Sequence, residues 1–157
     1  MIEIIDNQLS GITSPTSAAF LYSGDGNRVQ GTVNGVSTVY VNSSYETSGG
    51  VGTSYYFTAG QRIAMRKSGA VSYLLPDHLG STMLTTNSSG TRTSEQWYKA
   101  WGEVRYTYST LPTKYTYTGQ YSNVNDFGLM YYNARFYDPL LSRFTSADTI
   151  IPQPGSL

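Results

Sequence analysis

Cysteine is absent and histidine occurs once, at position 78. Without a thiol the chain can build no disulfide scaffold, no thiolate nucleophile and no cysteine-ligated zinc site. Charge is scarce as well. Asp, Glu, Lys and Arg together make up 13% of the residues, ten acidic against ten basic, about half the usual share. Nothing supplies the clustered Lys and Arg that phosphate contact needs, so an electrostatic nucleic-acid binder is excluded. No apolar run approaches the roughly 20 residues of a membrane-spanning helix. The opening residues Met1-Ile2-Glu3-Ile4-Ile5-Asp6 lack the basic segment and long apolar stretch of a secretion signal. Ala and Leu are few, which argues against a helical protein.

What the sequence has instead is Gly, Ser, Thr and aromatics. Glycine numbers 16 and tyrosine 15, and aromatics reach 14% of 157 residues. That length supports one domain with a sizeable core. Val, Thr and Tyr suit a pleated, half-buried surface. Turn signals recur along most of the chain: Gly24-Asp25-Gly26-Asn27, Asn34-Gly35, Ser48-Gly49-Gly50, Lys67-Ser68-Gly69 and Ser88-Ser89-Gly90. Short alternating runs between such signals predict an all-β fold of antiparallel hairpins. The clearest hairpin joins Arg28–Val33 to Val36–Val41 across Asn34-Gly35, a type I′ pair because both central residues need positive φ. Neither face of Val36–Val41 is plainly polar, so both are expected to be partly covered. A second hairpin joins Gln61–Arg66 to Ala70–Leu75. A third joins Ser81–Thr86 to the stretch ending at Tyr98. No segment of ten residues shows helical periodicity.

A loose repeat runs through these hairpins: aromatics, then a Gly-containing turn, then an Arg-led strand. It occurs at Phe20 to Val29, at Tyr55 to Ile63 and at Trp97 to Arg105. The repeat predicts a spiralling sheet in which each hairpin buries its aromatics against the next, so that no unit is stable alone. More specific motifs follow in order. They are Tyr22-Ser23-Gly24-Asp25-Gly26-Asn27-Arg28, then Asp77-His78-Leu79-Gly80-Ser81-Thr82, then Tyr115-Thr116-Tyr117-Thr118-Gly119-Gln120. Next come Gly128-Leu129-Met130-Tyr131-Tyr132-Asn133-Ala134-Arg135-Phe136-Tyr137-Asp138-Pro139 and, last, Ser142-Arg143-Phe144-Thr145-Ser146-Ala147-Asp148.

This ordered set resembles the RHS/YD-repeat family, specifically its RHS repeat-associated core domain. The resemblance covers residues 16–148, leaving 1–15 as a lead-in strand or tail and 149–157 as a truncated tail. It implies a segment of a hollow β-shell with a C-terminal plug, as in RHS proteins, toxin-complex C components and teneurins. In bacteria such a shell commonly encloses a C-terminal toxin. The expected partners are the remaining YD-repeat segments, or a second copy joined through open strand edges, together with an enclosed effector. The expected location is secreted or at the cell surface, as part of a larger RHS system. The family's autoproteolysis is attributed to aspartates in tandem Asp-Pro-x-Gly-Leu motifs beyond the core. Here Asp138-Pro139-Leu140-Leu141 lacks the Gly-Leu, and 149–157 ends before any such motif. The chain therefore reads as a fragment or a short relic, and cleavage is not carried over to it.

Three constellations could carry chemistry. Asp77, His78 and Ser81 hold the residue types of a hydrolytic triad, but adjacent Asp-His in one turn can hardly place a carboxylate on one imidazole nitrogen and a nucleophile on the other. The structural expectation is that Asp77 caps backbone N–H groups, Gly80 supplies unusual φ/ψ and His78 hydrogen-bonds within the shell. Asp126, Asp138 and Asp148 could form an acid–base pair, yet each sits in a turn context whose backbone it would satisfy. Tyr55-Tyr56, Tyr115, Tyr117, Tyr131-Tyr132 and Tyr137 could form a platform for sugars or peptides, or pack the sheet faces while their hydroxyls find partners, the latter being preferred. The arginines are expected to stack on aromatic rings and bridge carboxylates. No metal-ligand spacing is visible, and no cofactor is expected. The sequence thus reads as a non-enzymatic structural module. Two alternatives remain open: a carbohydrate-binding module using Trp97 and Trp101, and an aspartate-dependent self-cleaving domain.

Overall fold

Short strands separated by glycine-bearing turns give the chain little choice but to fold back on itself at each turn. A computed structural model describes residues 2–5, 8–13 and 16–147. In it the strands follow one another as β1 (Ile2–Ile5), β2 (Gln8–Ile12), β3 (Ala18–Tyr22), β4 (Arg28–Val33), β5 (Val36–Asn42) and β6 (Tyr45–Ser48). They continue as β7 (Val51–Thr58), β8 (Gln61–Lys67), β9 (Ala70–Pro76), β10 (Thr82–Thr86), β11 (Arg92–Tyr98) and β12 (Val104–Tyr108). These form one antiparallel sheet in strictly sequential order, a twelve-stranded meander. A second, four-stranded antiparallel sheet comprises β13 (Tyr121–Asn123), β14 (Leu129–Tyr132), β15 (Arg135–Asp138) and β16 (Arg143–Phe144). Among the described residues the only α-helix is the single turn α1 (Val124–Phe127).

Two kinds of turn drive the meander. Asn34-Gly35, Ala59-Gly60 and Ser68-Gly69 have positive φ at both positions, which matches the type I′ geometry favoured by twisted strands. The other kind is a five-residue loop that recurs at 23–27, 77–81, 87–91, 99–103 and 116–120. In each loop the first residue's N–H donates to the fifth residue's carbonyl, and the fourth residue's N–H donates to the first's carbonyl. The fourth residue is always glycine: Gly26, Gly80, Gly90, Gly102 and Gly119, with φ between +73° and +92°. A side chain is strained there, so this one residue type recurs while its neighbours vary. All three hairpins expected from the sequence form, with Lys67 inside its strand and Ser81 in the loop before β10.

Cross-strand register sorts the side chains. Tyr55 pairs with Met65, and Leu74 with Thr85, which in turn pairs with Ser94. All five are buried on the face that meets the small sheet. On the other face Tyr56, Tyr73, Leu75, Trp97 and Tyr106 are exposed. The expectation that both faces of β5 would be partly covered is corrected here. Thr38 is buried and Tyr40 half-buried, but Val39 and Val41 face solvent. The small sheet is too small to cover more than one face.

The large sheet curls around the small one. At about 4.8 Å per strand, β2 and β11 would stand roughly 43 Å apart in a flat sheet. Yet the segment Tyr115 to Tyr137 packs against both. Tyr121, Leu129, Tyr131 and Phe136 share a core with Leu9 and Ile12 of β2 and Ala18 and Phe20 of β3. Tyr115 packs on Tyr55, Met65 and Leu74. Tyr117, Met130 and Tyr137 take Tyr98 of β11 into their cluster.

Candidate functional site

The interface between the curled sheet and the small sheet gathers most of the buried polar groups, and arginine defines its centre. Arg28, which follows the first five-residue loop, is 7% exposed. Its guanidinium carbon lies 4.0 Å from the Tyr131 ring centroid, 4.4 Å from Tyr40, 4.8 Å from Tyr121 and 5.4 Å from Phe20. Arg62 holds the equivalent place in a later hairpin, 3.3 Å over Tyr115 and about 5 Å from Tyr55 and Phe57. Two neighbouring rings link these arginines, since Tyr115 and Tyr121 stand edge to face at 5.2 Å. Stacking on rings is therefore the role of both residues. Carboxylate bridging by arginine falls instead to Arg92, exposed and paired with Glu95.

Loop carbonyls hold the small sheet in place. Tyr117 Oη donates to the Ala100 carbonyl at 2.8 Å, and Tyr137 Oη donates to that of Trp101 at 2.9 Å. The Thr82 N–H donates to the Thr116 carbonyl. Tyr22 Oη donates to the Leu9 carbonyl at 2.8 Å, tying the first loop to β2. Tyr132 Oη and Thr118 Oγ1 are 2.7 Å apart. Gly119 offers its carbonyl to Arg62 at 3.4 Å, and Gln120 Nε2 reaches the Thr118 carbonyl. Arg135 stacks on Phe144 at 4.0 Å, and Arg143 pairs in register with Asp138. Gly128, at φ +86°, ends α1, while Asp25, Gly26 and Asn27 form the first loop's turn.

The triad residues are not assembled for catalysis. Asp77 Oδ1 accepts the backbone N–H groups of Leu79 and Ser81, each at 2.8 Å. Ser81 is fully buried, and its Oγ accepts the Thr118 N–H at 3.0 Å. His78 was expected to hydrogen-bond within the shell, but it lies exposed at the loop tip because the loop's own backbone bonds and Asp77 close the turn without it. Asp138 Oδ1 accepts the Leu140 and Leu141 N–H groups, whereas Asp126 pairs with Lys114 rather than with turn backbone. Asp148 lies outside the described residues. Among the described residues no three His, Asp or Glu side chains gather as metal ligands.

One buried carboxylate escaped the sequence reading. Glu46 of β6 is 8% exposed, and its Oε1 accepts the Tyr55 hydroxyl at 2.9 Å. Burial holds its carboxyl above the usual range, against the pull of that hydrogen bond and of Arg62. It lines a cavity of about 770 Å³ between the curled sheet and residues 110–126, with Thr38, Thr53 and Asn123. Its neighbours Tyr45 and Thr47 give no local sign of burial. A second cavity, of about 520 Å³, is lined by both stacked arginines.

The family model for the teneurin YD-shell matches residues 34–153. The tRNA3(Ser)-specific nuclease WapA of Bacillus spizizenii is 34% identical over 151 residues, covering 88% of this chain and 6% of that protein. The tRNA nuclease WapA of Bacillus subtilis is 33% identical over the same coverage. The chain thus spans about 6% of the length of the curated relatives it matches. Among solved structures, the crystal structure of TcdB2-TccC3-TEV superposes with a TM-score of 0.77 at 18% identity, over 94% of this chain and 9% of that one.

Proposed function

This chain belongs to the teneurin YD-shell family, and on that premise we propose that it is a non-enzymatic wall-and-plug segment of a larger RHS-type shell. In that role it helps to enclose or present a C-terminal effector in competition between bacteria, outside the cell or at its surface. The observation that carries the reading is the wrapping itself: one continuous meander curls around a small sheet built from the last family motifs. Its interior groups are spent on structure. Ser81 is buried, Asp77 and Asp138 hold turns, and the tyrosine hydroxyls anchor loop carbonyls. The nuclease names belong to relatives of which this chain matches a small part, and no nucleolytic constellation is visible among the described residues.

A second reading, a glycan-binding face, has one observation in its favour. Trp101 is 64% exposed and Trp97 37%. Trp97, however, is already engaged. Its Nε1–H donates to Glu95 Oε1 at 2.7 Å, and its ring packs on Tyr106 at 4.9 Å.

The test uses the purified chain. Incubated with tRNA it should leave the tRNA full length, and its own intact mass should not change on long storage. Mixed with upstream YD-repeat segments it should form a stable complex by size exclusion with light scattering. Cleaved tRNA, self-cleavage or failure to associate would each overturn the structural reading. A shift in tryptophan fluorescence on adding neutral glycans would favour the second one.

A further inference from the structure

Burying one guanidinium is expensive, and here two face the same cavity. The cavity of about 520 Å³ is lined by Arg28 and Arg62, and no Asp or Glu is among its lining residues. Aromatic rings compensate part of a guanidinium's charge through their negative π faces, but as N–H acceptors they are weak. The N–H groups lie in the guanidinium plane and require acceptors of their own. Arg28 Nε and Nη1 and Arg62 Nε are shut off from solvent with no hydrogen-bond partner among the described residues, and so is Glu46 Oε2, so a ligand reaches these N–H groups only as the rings over them shift. The two further bonds from Arg62, to the Gly119 and Ser43 carbonyls, are long at 3.4 and 3.5 Å. Glu46 is the acid whose charge acts on both arginines, but it lines the other cavity, and its Oε1 accepts from Tyr55 while its Oε2 makes no hydrogen bond to either guanidinium. One carboxylate cannot neutralise two guanidinium groups, so the cavity carries net positive charge.

Its volume falls within the range of small-ligand sites, about 300–1,000 Å³, and exceeds what a bare ion fills. Neutral donors and acceptors complete the wall, among them Asn27, Asn42, Gln120 and Asn133. We propose that this cavity is an oxyanion-binding site, in which Arg28 and Arg62 hold the charged oxygens and the amide side chains take the polar remainder of the ligand. The shared chemistry is a compact oxyanion. Its source is either a free inorganic anion or the carboxylate of an acidic sugar, and the amide-rich wall suits the latter. The site is independent of any role in enclosing an effector.

The test titrates the full chain with sulfate, with glucuronate and with neutral glucose, against sodium chloride at matched ionic strength. Binding is followed by calorimetry and by the Nε–Hε arginine resonances in NMR. Sulfate or glucuronate should shift the Arg28 and Arg62 resonances, while glucose and chloride should not. Tighter glucuronate than sulfate identifies an acidic sugar, and equal affinities identify a free anion. Arg62→Met keeps the aliphatic stem and should weaken binding about tenfold or more, as loss of a charge-assisted hydrogen bond does. Arg105→Met, on the exposed face, should leave binding unchanged. Arg28 variants are avoided because that side chain packs the core, and the wild-type resonances report on it directly. No resonance shift with either anion at millimolar concentration, or equal binding by Arg62→Met, would overturn the assignment.

Discussion

Tyr117 lies against a space where a side chain would have been. A Cβ on Gly102 would approach the Tyr117 ring to 2.5 Å, and Gly102 adopts φ +92° as the fourth residue of its loop. The glycine thus serves two demands, the left-handed backbone of the turn and the close seating of the ring whose hydroxyl reaches Ala100. Gly102→Ala should therefore cost about 2–4 kcal/mol, combining left-handed strain with overpacking. The loss should appear as a fall in Tm of several degrees. Gly90→Ala is the internal control, since the same loop position there has nothing within 4 Å of its Cβ and pays the backbone strain alone. Equal losses at the two sites would mean that ring seating contributes nothing. The sequence displays both glycines as turn signals and does not distinguish them, because the ring that Gly102 accommodates comes from a segment fifteen residues away.

Among the strands, β12 stands apart. Every residue from Val104 to Tyr108 is exposed, and the strand pairs with β11 only. Its free edge presents unpaired backbone donors and acceptors beside Tyr106 and Tyr108, with no proline or lysine in the strand to discourage pairing. The purified chain should consequently self-associate, and Thr107→Lys with Tyr108→Lys should shift the population toward the monomer in sedimentation velocity. A parent chain that stays monomeric at high concentration would show that the edge is protected in some other way. The hairpins were legible from Asn34-Gly35 and Ser68-Gly69, because a two-residue loop fixes register locally. The common five-residue loop was not, since only its glycine is shared across 23–27, 77–81, 87–91, 99–103 and 116–120. Sequence alone cannot show that Ser23, Asp77, Asn87, Lys99 and Thr116 make the same backbone bonds.

At the scale of the whole molecule, tyrosine binds the curled sheet to the small one, and this sets an alkaline limit on stability. Burial pushes the Tyr115 phenol up to about 12 and raises those of Tyr22, Tyr55, Tyr98 and Tyr121 still further. In the unfolded chain each would ionise near 10. Between those values the unfolded state has released protons that the folded state retains. Stability is thus fully present below pH 10 and falls as pH rises toward 12 and beyond, by at most about 1.4 kcal/mol per pH unit for each of Tyr55, Tyr98, Tyr115 and Tyr121, and by less for the more exposed Tyr22. Tyrosinate absorbance should accordingly rise in two stages. The second stage is a cooperative step, in which the buried phenols ionise as the sheet signal is lost in circular dichroism. A single smooth titration centred near 10 with the sheet intact would contradict the burial described here.

Composition and turn spacing by themselves determined that the chain is all-β, that its strands pair with their sequence neighbours, and which motifs align it with YD-repeat shells. These are local properties, set by positive-φ glycines, by alternation of side chains across a strand and by the order of short motifs along the chain. Tertiary structure alone decided which face of the meander is covered. It also decided that Glu46 is buried, that His78 is left outside, and that Arg28 and Arg62 come to share one cavity. The physical reason is distance along the chain. Those outcomes depend on the small sheet arriving from residues 115–137 to fill the curled face of strands laid down as much as about 127 residues earlier. No local pattern around Glu46 or Arg62 encodes that arrival.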